Sequence, residues 1–394
     1  MEPSQTNNEK KESQNTHEER IRKIDSEIKS KKKQLFEELE NSQEETSRRR
    51  RHPKFSGSQI ETLEFPTEKK ENLKFAPSVI NTLQITGKNS FSGGEIWYNE
   101  KHNLIIVQPF YMPLYIYDAS TLLPLEGWET PQIDVFAFSF CSETDTFLFA
   151  CGDGDLYSYD FSQKTLKKVQ KLEEEFLLAA VTFIDAVYYV FSTYSGKLFV
   201  GNLEDGSIND TNFGKSSTWN LEKFENRNVL FSALDKGKLI IYRTNRLPKL
   251  PVVCSVQAHD NGINQWINME KAVINGKEFI ITRGHDGKMK VWHFVKGRMR
   301  LLRVIQIGEY VEGPCIYLDN YKMICTTKGK ESLKFFSLIS GELKNTFELK
   351  SPKALSVVFL KDKNAIGVAD WTRKVLDIIQ LHPKQEKEDF MMEV

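Results

Sequence analysis

The stretch EFIITRGHDGKMKVWHF, residues 278–294, decides the fold. It contains an apolar run, a short polar connection and a second apolar run, which is the pattern of an antiparallel β-hairpin. Segments similar to its second half recur along the chain: PLYIYD (113–118), DLYSYD (155–160), KLFVGN (197–202), KLIIYR (238–243), KMKVWH (288–293), SLKFFS (332–337) and KVLDII (374–379). Their first residues are 42, 42, 41, 50, 44 and 42 positions apart. A period in the low forties indicates repeated structural units rather than unrelated domains.

Another apolar run precedes each of these segments. These runs are NLIIVQ (103–108), TFLFAC (146–151), VYYVFS (187–192), NVLFSA (228–233), EFIITR (278–283), YKMICT (321–326) and NAIGVA (364–369). Residues typical of turns connect the two runs of each pair, so every repeat contains a tight hairpin. A repeat of this length holds about four strands, the size of one propeller blade, and seven such blades close a ring without an exposed sheet edge. The sequence therefore predicts an all-β fold, a seven-bladed β-propeller.

The fifth repeat resembles the WD-repeat family. Ala258-His259 stands where that family has its Gly-His pair, Asp286-Gly287 at its Asp-containing turn, and Val291-Trp292 at the Trp of its Trp-Asp pair. In the family, a His, a strand Ser or Thr, the Asp and the Trp form a hydrogen-bonded chain inside the blade. The resemblance implies that His259, Thr282, Asp286 and Trp292 form such a chain here, with a structural and not a catalytic role. It covers about residues 78–381 and implies a propeller of WD-repeat type.

The other repeats depart from the family pattern. At the Trp position the copies have Tyr117, Tyr159, Gly201, Tyr242, Trp292, Phe336 and Ile378. At the Asp position only Asp153 and Asp286 match. The period therefore carries more of the prediction than the motif does.

The seventh repeat lacks a fourth strand of its own. After KVLDII the chain soon reaches His382-Pro383 and a charged end. The apolar run VINTLQIT, residues 79–86, precedes the first blade. We expect this run to pair with the last blade and close the ring, as in WD-repeat proteins.

Composition divides the chain into a charged arm at 1–54, a linker at 55–77, the propeller at 78–381 and a charged tail at 382–394. The arm has 14 Lys+Arg and 12 Asp+Glu with no Gly, a composition that favours disorder over a packed domain. Apolar residues of the arm at helical spacing are Ile21, Ile24, Ile28, Leu35 and Leu39. They predict a short helix that is either transient and solvated or docks on a partner, in a groove or as a short coiled coil.

The run RRRRHPK at 48–54 is the most basic part of the arm. Its cations Arg48, Arg49, Arg50, Arg51 and Lys54 predict a nuclear-import signal, a contact with nucleic-acid phosphates, or a solvated surface without a specific partner. The whole chain has 54 Lys+Arg and 54 Asp+Glu, which argues against a surface built throughout for nucleic acid or an anionic membrane. The longest apolar stretch, 176–191, is too short to span a bilayer. We expect an intracellular protein, with the nucleus favoured over the cytoplasm.

Sequence motifs of the common catalytic sites are absent: we find no G-x-S-x-G, no phosphate-binding loop, no H-E-x-x-H and no C-x-x-C. We expect no catalytic residue, no cofactor and no metal. Gly152–Asp155 is predicted to be a hairpin turn rather than a cation loop, and His285 and His293 have no fixed ligand geometry. The Cys residues number 5 and include no short-spaced pair, which favours a reducing compartment over a disulfide framework.

Two further segments have alternative interpretations. The insertion RLPKLP at 246–251 is either a partner-binding loop or an inert surface connection. Asp370-Trp371-Thr372-Arg373 resembles, with its first two residues reversed, the Trp-Asp-x-Arg box of WD-repeat substrate receptors in ubiquitin ligases.

By analogy with the fold, we predict a non-enzymatic scaffold, a subunit of a multiprotein assembly that binds proteins through its propeller loops and its amino-terminal helix. One alternative is a nucleic-acid-associated subunit, for RNA or chromatin, that uses the basic arm. A second is a substrate receptor of a ubiquitin ligase. A third is an enzyme, which would need His, Asp or Glu side chains converging from different blades in the central channel. We expect neither a membrane partner nor a small-molecule substrate.

Overall fold

The computed structural model describes residues 75–84, 94–109, 114–125, 131, 135–171, 178–211, 217–224, 227–260, 269–308, 315–328, 332–349, 354–370 and 373–383. Within these ranges the chain forms 27 β-strands in seven sheets. The predicted docking helix at 21–39 and the basic run at 48–54 lie outside the described residues. No helix in the described ranges is long and apolar enough to cross a membrane.

Each sheet is one blade, and blades are numbered in chain order. Blade 1 contains β2 (Gly94–Asn99), β3 (Leu104–Pro109) and β4 (Tyr115–Asp118); blade 2 contains β5 (Val135–Cys141), β6 (Thr146–Cys151), β7 (Asp155–Asp160) and β8 (Thr165–Lys171); blade 3 contains β9 (Leu178–Phe183), β10 (Tyr188–Thr193), β11 (Leu198–Asn202) and β12 (Ile208–Asp210); blade 4 contains β13 (Thr218–Phe224), β14 (Val229–Leu234), β15 (Lys238–Arg243) and β16 (Val252–Gln257).

The last three blades follow the same order. Blade 5 contains β17 (Met269–Ile274), β18 (Lys277–Arg283), β19 (Lys288–Val295) and β20 (Arg298–Gln306); blade 6 contains β21 (Cys315–Leu318), β22 (Met323–Lys328), β23 (Ser332–Ser337) and β24 (Leu343–Glu348); blade 7 contains β25 (Ala354–Leu360), β26 (Ala365–Asp370), β27 (Val375–Pro383) and, from the other end of the domain, β1 (Phe75–Gln84). Short 3₁₀ turns lie at Asp235–Gly237, Asp319–Tyr321 and Lys361–Lys363.

The first strand of each blade lies innermost, and these inner strands form a ring. The inner strands of blades 2 to 7 contact one another in chain order, and β25 of blade 7 contacts β2 of blade 1. The remaining junction, between blades 1 and 2, is made by the rings of Trp97 and Phe138, whose centroids are 3.9 Å apart. The predicted seven-bladed propeller is therefore confirmed.

The hydrophobic core is divided among the gaps between blades. Seven apolar clusters are found, each built from the facing strands of two neighbouring blades. Because every blade is covered on both faces, the second strands are apolar at successive positions rather than alternating. Strands β3, β14 and β26 are buried along their whole length.

Strand β1 closes the ring. It pairs antiparallel with β27, from Phe75 opposite Pro383 to Gln84 opposite Val375. The predicted pairing of the run at 79–86 with the last blade is confirmed for residues 79–84, and the strand begins earlier, at Phe75. A polar contact supports it, because the Thr82 hydroxyl donates to Asp377 Oδ1 at 2.7 Å.

The recurring Trp position falls in the third strand of every blade and is buried in each. Its residues are Tyr117, Tyr159, Gly201, Tyr242, Trp292, Phe336 and Ile378. Blade 3 has a glycine there because Tyr189, directly opposite Gly201 on β10, fills the space. A Cβ atom at Gly201 would lie 2.1 Å from Tyr189 Cζ.

The two connections singled out in the sequence are turns. Residues 246–251 join β15 to β16 in a turn closed by a hydrogen bond from Lys249 N–H to the Arg246 carbonyl. Leu250 is buried against blades 3 and 4, whereas Arg246 and Lys249 are exposed. Gly152–Asp155 is the predicted hairpin turn, in which Asp153 Oδ1 accepts the N–H of Asp155 at 3.1 Å.

Candidate functional site

Four side chains of blade 5 and the connection before it form one chain of hydrogen bonds. Trp292 Nε1 donates to Thr282 Oγ1 at 2.9 Å. Thr282 Oγ1 lies 2.8 Å from His259 Nε2, and His259 Nδ1 lies 3.0 Å from Asp286 Oδ1. Since the ionised Asp286 carboxylate can only accept, the imidazole donates to it from Nδ1. In the neutral ring Nε2 then has no proton, so it accepts from the Thr282 hydroxyl. The chain therefore has one consistent direction, from Trp292 to Asp286.

Burial keeps this imidazole neutral. His259 and Thr282 are both fully buried, and burial lowers the pKa of His259 below its ordinary value. Burial alone would raise the pKa of Asp286, but hydrogen bonds from His259 and from the amide of Lys288 hold it below its ordinary value. A neutral imidazole beside an ionised carboxylate in a closed interior supports a structural arrangement.

Two glycines leave the space that His259 occupies. Aligning the repeats of this chain with one another did not identify them. A Cβ atom at Gly284 would lie 2.3 Å from His259 Nδ1. A Cβ atom at Gly237, which has a φ of +75°, would lie 2.0 Å from the His259 carbonyl oxygen. Such approaches are possible only for glycine, so any larger residue at Gly284 would displace the imidazole.

His293, one of the two histidines for which no metal role is expected, lies beside an arginine. His293 Nε2 lies 3.0 Å from Arg227 Nη2, and because a guanidinium only donates, the imidazole accepts. Burial first, and then the charges of Arg227, Lys277 and Arg300, lower the pKa of His293. In the described ranges no group of three or more His, Cys, Asp or Glu residues could hold a metal ion.

The inner strands enclose a central cavity of about 590 Å³, open to solvent. Residues from the inner strands of all seven blades line it. Its described lining contains 5 carboxyl groups and 2 ammonium groups, with no His or Cys. The cavity is therefore an acidic channel along the ring axis.

β-bulges shape the wall of this channel. In β5, β9 and β13 the second residue is skipped in the pairing with the next strand, so Phe136, Ala179 and Trp219 are extra residues at equivalent positions. A bulge re-aims the side chain of its extra residue, and all three residues line the cavity. The Tyr194 ring contacts Phe136 and Trp219, with centroids 6.0 and 4.7 Å away. Aromatic rings of blades 2 and 4 and the small Ala179 of blade 3 thus line neighbouring parts of the wall.

Four glutamates line the channel: Glu95 and Glu100 from blade 1, Glu222 from blade 4 and Glu270 from blade 5. Glu222 has a cation, because Lys271 Nζ lies 3.5 Å from Glu222 Oε1. Glu270 Oε1 accepts the backbone N–H of Tyr317 at 3.4 Å, and no cation of the described residues lies within ion-pair distance of it. Glu95 has neither a hydrogen bond nor an ion pair within the described part of the chain.

Burial raises the pKa of Glu95 to about 8. Burial, and then the charge of Glu222, raise the pKa of Glu270 to about 8. Nearby Lys271 and the Tyr317 amide act against this rise at Glu270 but do not offset it. Both carboxyls are therefore largely protonated in the free protein at neutral pH.

We expect the replacement Glu270→Gln to raise stability at alkaline pH. The folded pKa is about 8 and the ordinary value is 4.5, so the unfolded chain ionises first as the pH rises. The free energy of unfolding of the native protein should fall from pH 4.5 to pH 8, by up to ~5 kcal/mol at ~1.4 kcal/mol per pKa unit. Urea unfolding at pH 5 and pH 8.5 measures this. Glu143→Gln, at an exposed turn, is the control, and a native-like pH profile for Glu270→Gln would refute the assignment.

The serine of the described channel lining is engaged in the contact between two blades. Ser139 lines the cavity, but its hydroxyl oxygen accepts the N–H of Phe183 at 3.1 Å and so joins blades 2 and 3. Among the described hydrogen bonds, none joins the Ser139 hydroxyl to a carboxyl or amino group of the lining. The channel offers carboxyl groups and aromatic faces, which suit binding.

Comparisons with known proteins bear on the fold. The Myceliophteria thermophila Cps50 (Swd1) β-propeller domain has a TM-score of 0.64, and the match covers 77% of this chain and 99% of that chain at 10% sequence identity. This match shows the β-propeller fold. In all, 1862 chains of solved structures match, so the fold alone does not define a function. No protein-family model matches the sequence, and no curated protein sequence matches it.

Asp370 and Arg373, the described ends of the 370–373 segment, make ion pairs within blade 7. Arg373 Nε donates to Asp370 Oδ2 at 2.5 Å and Arg373 Nη2 donates to Asp377 Oδ2 at 2.7 Å. Since Asp377 also accepts the Thr82 hydroxyl, this arginine belongs to the polar contacts that hold β1 on β27. Trp371, between them, lies outside the described residues.

Proposed function

We propose that the protein is a non-enzymatic scaffold that binds protein partners within a multiprotein assembly. The observation that carries the proposal is the closed ring with an open acidic channel, lined from all seven blades. A ring whose blades bury their faces on one another holds its turns and its channel mouth in fixed positions. Rigid presentation of binding groups favours recognition, because few degrees of freedom are lost when a partner binds.

The proposal also gives a role to the amino-terminal arm, residues 1–54. The apolar stripe at 21–39 docks on a partner as a helix, and the basic run at 48–54 directs the chain to the nucleus. The turns of the ring, including the exposed part of 246–251, provide the other contacts. Charged and apolar anchors in different parts of one chain allow several partners to be held together.

Purification of the full-length protein under native conditions, followed by cross-linking and mass spectrometry, tests the proposal. We expect partner proteins in near-stoichiometric amounts, cross-linked to lysines of the propeller turns such as Lys249 and to lysines of the arm. A chain lacking residues 1–54 should lose only the arm cross-links. Recovery of the chain alone, or with nucleic acid alone, would contradict the scaffold function.

A further inference from the structure

A second cavity, here called the interblade pocket, lies between blades 1 and 2 and adjoins the central channel. Its volume is about 480 Å³, within the range of about 300 to 1,000 Å³ that is typical of ligand pockets. Its apolar and aromatic lining is Trp97, Tyr98, Ile106, Phe138, Phe140 and Phe147. Turn residues Glu100, Lys101 and Ser142 complete the described lining at the rim. The pocket therefore has an aromatic interior and a polar edge.

The pocket is the space that the junction between blades 1 and 2 leaves open. The inner strands meet there through the rings of Trp97 and Phe138, and Phe138 and Phe140 are only partly buried. At the rim, Lys101 Nζ donates to the Ser142 carbonyl at 3.1 Å and lies 2.9 Å from Asp145 Oδ1. These contacts join the two turns without filling the space between the strands. Large aromatic side chains left accessible in such a space suit an apolar ligand.

The end of strand β27 lies on the same side of the ring as the interblade pocket. Gln380 Nε2 donates to the carbonyl of Lys363 at 3.0 Å. In the same 3₁₀ turn, Asp362 Oδ1 accepts the hydroxyl of Tyr98 at 2.5 Å, and Tyr98 lines the pocket. Two side-chain contacts and one turn therefore connect the end of β27 to the pocket wall.

The residues that follow Pro383 have the chemistry to fill this pocket. Residues 384–394, KQEKEDFMMEV, lie outside the described residues and carry an apolar group, Phe-Met-Met, at 390–392. An extended chain from 384 to 390 spans at most about 25 Å, enough to pass one turn and two side-chain contacts. Methionine is flexible and makes favourable sulfur contacts with aromatic rings. The group at 390–392 therefore matches the pocket in both reach and chemistry.

Charge favours the same path. Lys361 begins the 3₁₀ turn between β27 and Tyr98, and its side chain is 48% exposed. Lys361 and Lys322 share Asp319, at 3.3 and 2.7 Å, so two cations have one acidic partner between them in these ion pairs. The tail residues 386–389, EKED, are acidic on balance. Opposite charges on tail and turn favour association in this register.

We propose that the apolar group at 390–392 of the chain's own tail docks in the interblade pocket, with a methionine side chain against Trp97 and Phe140. The interaction is within the chain and does not depend on the proposed scaffold function. Docking covers the accessible aromatic rings beside the channel and places the acidic residues 386–389 along Lys361. The pocket is then closed to other apolar segments until the tail is displaced.

NMR of the full-length protein with ¹³C-labelled methionine methyl groups tests the proposal. The chain has 8 Met, and Met391→Leu and Met392→Leu assign the two tail signals. We expect a tail methyl signal shifted upfield by the aromatic rings, at a position that does not change with protein concentration. Phe140→Leu removes one ring but keeps an apolar side chain, so it should reduce that shift. Phe347→Leu, at a partly buried ring of blade 6, is the matched control and should leave it unchanged.

A synthetic peptide of residues 384–394 gives a second measurement that does not alter the pocket. It should bind a chain that ends at Pro383, whose thermal melt should match the native one because β27 is intact. It should bind the full-length protein about tenfold more weakly or less, because the attached tail competes at high effective concentration. A peptide with Phe390→Ser, Met391→Ser and Met392→Ser should not bind.

Three results would overturn the docking of the tail. The first is tail methyl signals at the positions that they have in the free peptide. The second is an upfield shift that appears only at high protein concentration, which would mean that a second copy supplies the tail. The third is equal affinity of the peptide for the shortened and full-length chains, which would mean that the attached tail does not occupy the pocket.

Discussion

Removing residues 1–84 is expected to lower the melting temperature by about 10 °C or more, because β1 is then lost from blade 7. Ile379 and Leu381 of β27 are fully buried in the cluster against which Val79 of β1 packs. Uncovering side chains of this kind costs about 1.5 to 3 kcal/mol each. The antiparallel pairing from Phe75 to Gln84 is lost as well, which leaves β27 as an exposed edge that invites aggregation.

A chain lacking only residues 1–54 is the matched control for this deletion. It keeps β1, so we expect a melting temperature within about 2 °C of the intact protein, since surface changes away from the core are usually small. Differential scanning calorimetry and size-exclusion chromatography of the three proteins measure stability and aggregation. Equal melting temperatures for the two shortened chains would show that β1 does not hold the ring closed.

Asp286→Ala is expected to lower the free energy of unfolding by about 3 kcal/mol. Removing one partner of a buried polar pair has an effect of this size. The side chain of Asp286 is 4% exposed and accepts from His259 Nδ1. Without it, the buried imidazole donor and the amide of Lys288 lose their acceptor. The effect reaches Thr282 and Trp292 because they share the same chain of hydrogen bonds.

Blade 2 supplies the control for this substitution. Asp153 holds the equivalent turn position but is exposed and accepts only the N–H of Asp155 at 3.1 Å. Asp153→Ala should therefore cost less than about 1 kcal/mol. Asp286→Asn, which keeps an acceptor oxygen, should recover part of the loss. Chemical unfolding of the three variants measures the differences, and equal effects of Asp153→Ala and Asp286→Ala would remove the energetic role assigned to the chain in blade 5.

The period of the sequence predicted the seven blades because each repeat must place its apolar strands between two neighbours. The hydrogen-bonded chain of blade 5 was implied by the resemblance of that repeat to the WD-repeat family and not by the period. The period could not show which side chain fills the space at Gly201, where blade 3 has no aromatic residue. There the filling side chain, Tyr189, comes from the opposite strand, and a sequence period compares equivalent positions rather than facing ones.

The residues that line the channel could not be predicted from the sequence, for a related reason. Glu95 and Glu270 are 175 residues apart in the numbering and face one cavity only because blades 1 and 5 belong to one closed ring. The orientation of Phe136 and Trp219 depends on β-bulges, which an apolar run does not reveal. Residues that several repeats contribute to one binding site can therefore be identified only from the assembled ring.

The register of β1 on β27 has a mechanical consequence. Phe75, the first described residue of the chain, is opposite Pro383, the last described one. Tension between arm and tail would pull these two neighbours apart and break the backbone hydrogen bonds one after another, as a zipper opens, instead of shearing them all at once. A chain held at both ends would therefore open first at the β1–β27 seam.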